Sequence, residues 1–270
     1  MSRNNWTAEK LFFRILNNKS ERARWDNIHA LRRKPSKEVF DRSIELSYSQ
    51  QPKERQIGIQ ILAQLGSEPR LFYAESIKRF FEILEQEEDP EVIMSLLFSI
   101  GHNNRKLNKS QIEILCAFGN SDNVLIKEGA VSSLLFINDS RAIDTLIKLS
   151  SDKASHIRDW ATFGIGQSER DNKKIRTALW MKATDKHADT RAEAIAGLAR
   201  RKDERARELI AKELLSGNYG TLVLEAIVEY GDKTFLPILR AHLKEDSKSD
   251  DISATWLAKL KNCIKELKSK

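Results

Sequence analysis

The chain has 270 residues, 40% of them hydrophobic and 31% charged, with a formal net charge of +7 and a pI near 9.3. The apolar share is below the roughly 45–50% of ordinary soluble proteins, as in repeat proteins whose units each bury only one stripe. No apolar run reaches the ~18 residues that a membrane-spanning helix needs. The basic balance permits a nucleic-acid or acidic-protein partner without requiring one, because Lys and Arg alternate with Asp and Glu along most of the chain. The first residues lack an apolar signal core. Cys116 and Cys263 stand far apart, with no CxxC and no adjacent His. They read as thiols of a reducing compartment, and the cytoplasm is the expected location.

In chain order, Trp6 to Leu16 reads as one amphipathic helix with Leu11, Phe12, Ile15 and Leu16 on its apolar face. It is expected to cap the N-terminal end, over residues 1–19. From 20 to 245 the chain repeats. A residue in the middle of a first helix marks each unit: Asn27, Gly58, Leu96, Ala130, Ala161, Ala194 and Ala226, spaced 31 to 38 residues apart. That interval holds two helices of roughly three turns each and two short loops. Asp89-Pro90 opens one first helix, with Asp as N-cap and Pro at the first helical position. Gly66, Gly101, Gly166 and Gly231 fall where first helices end. The second helices have their own apolar stripes, clearest in Ile143, Leu146, Ile147 and Leu149 and again in Ala206, Leu209, Ile210 and Leu214. Pro237 sits in the first turn of a second helix, where it is tolerated. Ile252 to Leu267 reads as a last amphipathic helix, the C-terminal cap over 246–270.

The repeat is plainest where Ile157-Arg158-Asp159-Trp160-Ala161-Thr162-Phe163-Gly164-Ile165-Gly166 returns 33 residues later as Thr190-Arg191-Ala192-Glu193-Ala194-Ile195-Ala196-Gly197-Leu198-Ala199. A fixed period in this range signals stacked repeats. The pattern resembles the HEAT-repeat family, in the short form found in phycobilin-lyase-like HEAT proteins, most strongly over residues 122–231. It predicts a single all-α, right-handed α-solenoid over residues 1–270, with about seven helical hairpins and a capping helix at each end. The resemblance implies a scaffold or adaptor that binds a protein partner on a concave face lined by second helices. It also leaves two other classes open: nucleic-acid binding, as in HEAT-like DNA glycosylases for alkylated bases, and a chromophore-lyase subunit.

Arg24, Arg55, Lys127, Arg158 and Arg191 share one place at the start of first helices. Asp152 and Asp185 lie in the loops before two of them, so the column reads as a structural ladder of planar guanidinium groups. Arg141, Lys174 and Arg205 occupy equivalent places at the start of three second helices, and Lys148 matches Lys212 two turns on. With Arg176 and Trp180 they make up the expected partner-binding surface, for a protein partner that presents an acidic surface or segment. Asp144 and Glu208 interleave with them, which weakens a phosphate-tracking reading. Arg176 lies one turn before Trp180, at cation–π spacing. Trp160 takes a place held by Gly129, Glu193 and Glu225 in neighbouring units and is expected to be partly exposed, as a binding hot spot. Glycosylase chemistry needs a carboxylate beside aromatic residues; only Asp159 with Trp160 and Asp185 with Trp180 suggest it, and neither is well placed. The five histidines have no metal-ligand spacing, and no nucleophile elbow, P-loop or dinucleotide fingerprint is present. No catalytic residue, metal or cofactor is expected.

Overall fold

The computed structural model describes residues 3–270. They form sixteen α-helices and three short 3-10 turns, with no strand among the described residues. The architecture is a HEAT-like α-solenoid of helical hairpins. It divides into two compact units, one ending at Ile137 and the other running Asn138–Lys270.

The first unit contains α1 (Ala8–Asn17), α2 (Glu21–Arg32), α3 (Lys37–Leu46), α4 (Pro52–Ala63), α5 (Tyr73–Leu84), α6 (Pro90–Gly101), α7 (Lys109–Phe118) and α8 (Val124–Leu134). The first helices α2, α4, α6 and α8 pack one on the next, and α3, α5 and α7 each pack on the first helix that follows. Helix α1 begins two residues later than its apolar pattern suggests, because Thr7 takes the N-cap and its hydroxyl accepts from the Lys10 amide at 3.2 Å. Trp6 therefore lies outside the helix, with the Lys10 ammonium 4.5 Å from its ring centre. Asp89 and Pro90 start α6 as expected, the Asp89 carboxylate accepting from the amides of Glu91 and Val92.

The second unit contains α9 (Ser140–Leu149), α10 (Ser155–Gln167), α11 (Lys173–Lys182), α12 (Ala188–Arg200), α13 (Arg205–Ser216), α14 (Thr221–Tyr230), α15 (Leu236–Asp246) and α16 (Ala254–Ser269). Helices α10, α12, α14 and α16 form a row in direct mutual contact. The second helices α9, α11, α13 and α15 pack on this row and hardly on one another. The marker residues of both units, Asn27 and Leu96 as well as Ala130, Ala161, Ala194 and Ala226, are all buried, so the repeat frame is the core frame.

Two features explain why the first helices can approach so closely. Gly166 and Gly197 face each other across α10 and α12, and a Cβ on Gly197 would meet the Gly166 Cα at 2.9 Å and both Leu179 Cδ atoms at 3.0 Å. Arg201, buried just after α12, donates to the carbonyls of Ile165, Gly166, Gly197, Ser168 and Arg170 at 2.7–3.1 Å. It thereby satisfies the acceptors left over where α10 ends. The glycines at first-helix ends have two different jobs. Gly66 and Gly231 take left-handed φ values of 83° and 79°, whereas Gly101 and Gly166 are helical; of these two, Gly101 is the one without room for a Cβ, which would lie 2.8 Å from the Ser132 carbonyl oxygen.

The arginine ladder is present at Arg55, Arg158 and Arg191. Each guanidinium donates to two carbonyls of the loop just before its own helix and reaches a carboxylate further along the chain. Arg158 donates to the Asp152 and Lys153 carbonyls at 3.1 and 3.0 Å, and by Nε and Nη2 to Asp185 at 2.8 and 2.9 Å. Arg55 does the same with Ser49, Gln50 and Glu87, and Arg191 with Asp185, Lys186 and Glu213. Asp185 is thus shared: its side chain holds Arg158 and its carbonyl holds Arg191. Arg24 departs from the pattern: it pairs with Glu21, at 3.4 Å, and lies 5.9 Å from the Trp25 ring centre.

Candidate functional site

Two surfaces of the second unit carry the candidate residues. On the second helices, Arg141 and Arg205 do stand at equivalent places, but each is turned back onto an aspartate two residues earlier. Arg141 grips Asp139 by two hydrogen bonds of 3.1 and 3.0 Å, and Arg205 grips Asp203 by two of 2.8 Å. These contacts hold both carboxyls at about 2, far below the usual range, with the Arg hydrogen bonds as the largest cause. Lys174 bonds to Asp144 at 2.6 Å. Lys148 and Lys212 lie on the exposed side of α9 and α13. The surface is therefore of mixed charge, with each of Arg141, Lys174 and Arg205 paired to an aspartate.

The pairing expected between Arg176 and Trp180 is not made. Arg176 is drawn away by Asp171, at 2.8 and 2.6 Å, and by the Arg201 carbonyl at 2.8 Å. The cation over Trp180 is Arg205 from the next second helix, 4.9 Å from the ring centre. For Arg176 the charge-assisted bonds to Asp171 are the stronger interaction. Trp180 stays 37% exposed beside the exposed Met181.

The first-helix row carries the other surface. Trp160 is 52% exposed and meets Phe163 edge-on, with ring centres 5.6 Å apart. One and two repeats further on, its place in the frame is held by Glu193 on α12 and Glu225 on α14. Both line a groove of about 550 Å³ between α12, α14 and α16. Its apolar lining includes Ala196, Leu224, Val228 and Ala258. Its carboxylates are Glu193, Glu225, Glu229 and Glu266, set against the cations Arg200 and Lys259. Arg200 already donates to the Gly166 carbonyl at 2.8 Å. Burial, and then the charges of Asp159 and Glu225, push the Glu193 carboxyl up to about 7. Asp159 is raised as well, by burial and by Asp189, and its Oδ1 is buried without a hydrogen-bond partner.

This groove has the size of ordinary ligand and peptide clefts, roughly 300–1,000 Å³, but poor means for covalent chemistry. Its one thiol, Cys263, is buried 3.6 Å from the Leu224 carbonyl and is pushed up to about 11 by burial. A thiol in that state is not a nucleophile at neutral pH. Asp185, weighed as a glycosylase carboxylate, is occupied by Arg158 and by the His187 amide at 2.9 Å. Among the described residues no group of three or more His, Cys, Asp and Glu side chains could hold a metal ion. No helix among them is long and apolar enough to cross a membrane.

The groove acids escaped the reading of the sequence. Glu193 and Glu225 were visible only as occupants of the Trp160 place, and nothing in the repeat brings Glu266 of the last helix to them. The Asp anchors had a signal: Asp139-Ser140-Arg141 and Asp203-Glu204-Arg205 share an Asp two residues before a basic residue. At that spacing the carboxylate accepts from both the backbone amide and the guanidinium of the arginine.

These features define an all-helical, HEAT-like repeat protein with two exposed candidate surfaces. No family model matches the sequence. Protein YibA of Escherichia coli K12 is 37% identical over 125 residues, 46% of this chain and 44% of YibA, and YibA of E. coli O157:H7 gives the same figures. The matched stretch spans less than half the length of these curated relatives. The crystal structure of E. coli YibA aligns over 99% of this chain and 94% of its own, with a TM-score of 0.74 and 24% identity. An engineered protein aligns over 97% of this chain and 78% of its own, with a TM-score of 0.53 and 15% identity. These structures share the fold with this chain.

Proposed function

We propose that this chain is a non-enzymatic protein-binding module, and that its second unit docks a partner along the first-helix row. The observation that carries this reading is the contrast between the two surfaces. The second-helix cations Arg141, Lys174 and Arg205 are tied to aspartates, whereas the first-helix row combines an exposed Trp160 with a half-apolar groove. An exposed aromatic next to a partly apolar cleft is what binding hot spots are made of. In a curved stack the more closely packed row lies on the shorter arc, so the inner face of this unit is proposed to run along α10, α12, α14 and α16. That differs from the second-helix face that the family resemblance implies. Cys116 and Cys263 are far apart in the sequence with no CxxC, which supports, in this reading, a reducing compartment such as the cytoplasm.

The test sets protein binding against nucleic-acid binding. Labelled 30-base duplex and single strands are titrated by anisotropy at 50 mM salt. The reading expects no saturable binding. Binding that falls steeply with salt, and that disappears when Arg141, Lys174 and Arg205 are together replaced by Glu, would overturn it in favour of a phosphate-binding second-helix surface.

A further inference from the structure

The groove between α12, α14 and α16 has an apolar floor and an acidic rim, and these two properties define an occupant. We propose that it takes a cationic segment of a partner protein: a Lys or Arg side chain whose aliphatic stem lies on Leu224 and Val228 and whose charge sits among Glu193, Glu225 and Glu266. The inference rests on the first-helix row being the binding surface, and it adds the chemistry of the partner.

Three observations support it. The lining carries four carboxylates against two cations, and one of those cations, Arg200, is bonded to the Gly166 carbonyl. The floor is apolar enough to accept methylene stems, which Lys and Arg bury readily while their charged ends stay polar. The Glu193 carboxylate also sits in an uncompensated field. The charged groups around it are Asp159 from α10, Asp189 and Arg200 from α12 and Glu225 from α14, with Glu266 and Lys259 of α16 across the groove. Burial is the larger cause of a carboxyl raised to about 7, and the excess of acids over bases there adds to it. A guest cation supplies the missing counter-charge. Its affinity then rises with pH between 6 and 8, as Glu193 loses its proton, and binding at pH 7 releases protons.

The full-length chain is titrated by anisotropy with a fluorescein-labelled peptide of six Lys-Leu repeats and with its Glu-Leu counterpart, at 0.15 M salt and at pH 6 and pH 8. The expected result is saturable binding of the Lys-Leu peptide alone, severalfold tighter at pH 8. E193Q with E225Q should weaken it about tenfold or more, the worth of a charge-assisted hydrogen bond, while Arg141→Glu with Arg205→Glu leaves it unweakened. Glu225 is exposed, so E225Q alone gives a folded control with the same direction of change. No saturable Lys-Leu binding, or binding indifferent to pH and to both Glu→Gln changes, overturns the cationic occupant. If the Glu-Leu peptide binds and Trp160→Ala weakens it, the occupant is wrong and the first-helix surface stands. If either peptide is lost with Trp180→Ala and kept with Trp160→Ala, the first-helix surface itself is refuted.

Discussion

Removing the Arg158 side chain tests the framework that positions both surfaces. In Arg158→Met the aliphatic stem stays and the guanidinium goes. Four hydrogen bonds are lost: two to Asp185 and one each to the Asp152 and Lys153 carbonyls. The Arg158 and Asp185 side chains are only 8% and 10% exposed, so water cannot fully replace the lost partner. Breaking a deeply buried pair costs about 3–5 kcal/mol and an exposed pair about 0–1 kcal/mol. This pair is shielded but close to the surface, so the expected cost is about 2–4 kcal/mol, the middle of that span. Asp185→Asn should cost less, because the amide oxygen can still accept from the His187 amide. Urea unfolding of both single variants and the double gives the coupling directly, expected at more than about 1 kcal/mol. Arg158 holds the Asp185 carboxyl below its usual range. The coupling is therefore fully present above the unfolded carboxyl value and is lost as pH falls through the depressed folded one. A cost below about 0.5 kcal/mol for Arg158→Met, the level of an ordinary surface change, would refute the ladder as a structural element.

Glu193 should show the opposite pH dependence. Its folded value of about 7 lies above the usual 4.5, so stability is highest below the unfolded value and is lost as pH rises through 7. Because the group is partly solvated, the loss is on the order of 1–2 kcal/mol; E193Q should remove it, giving a protein more stable at pH 8 whose stability falls less between pH 5 and 8. The glycine pair at the α10–α12 crossing is asymmetric. Gly197→Ala meets the Gly166 backbone at 2.9 Å and should destabilise by about 1–3 kcal/mol from overpacking, less the ~1 kcal/mol that Ala gains in a helix. Gly166→Ala finds its nearest neighbour at 3.4 Å and should be neutral or slightly stabilising by thermal denaturation.

The repeat frame was legible because each hairpin buries the same stripe. Once Ala161 and Ala194 were aligned, the other markers, the second-helix stripes and the Arg158 ladder followed from period alone. What period cannot show is how a flexible charged side chain chooses between partners within reach. Arg205 and Arg141 look outward in the pattern, yet an aspartate two residues before each draws them back. Arg176 was one turn from Trp180, yet Asp171 holds it and Arg205 takes the ring. The groove was hidden for another reason. It needs α16, which lies outside the repeat, to bring Glu266 and Lys259 opposite Glu193 and Glu225, and such a meeting is set by tertiary packing. The place of Trp160 in the frame is the one that, in the next two repeats, holds the groove acids Glu193 and Glu225.

Site-specific photo-crosslinking in the host is the most direct test of the central proposal, that a partner protein docks on the first-helix row of the second unit. A benzophenone side chain is placed at 160, 225 or 180 in otherwise unchanged protein. Docking on the first-helix row predicts one adduct of the same mass from 160 and 225 and none from 180. An adduct from 180 with none from 160 or 225 would contradict it.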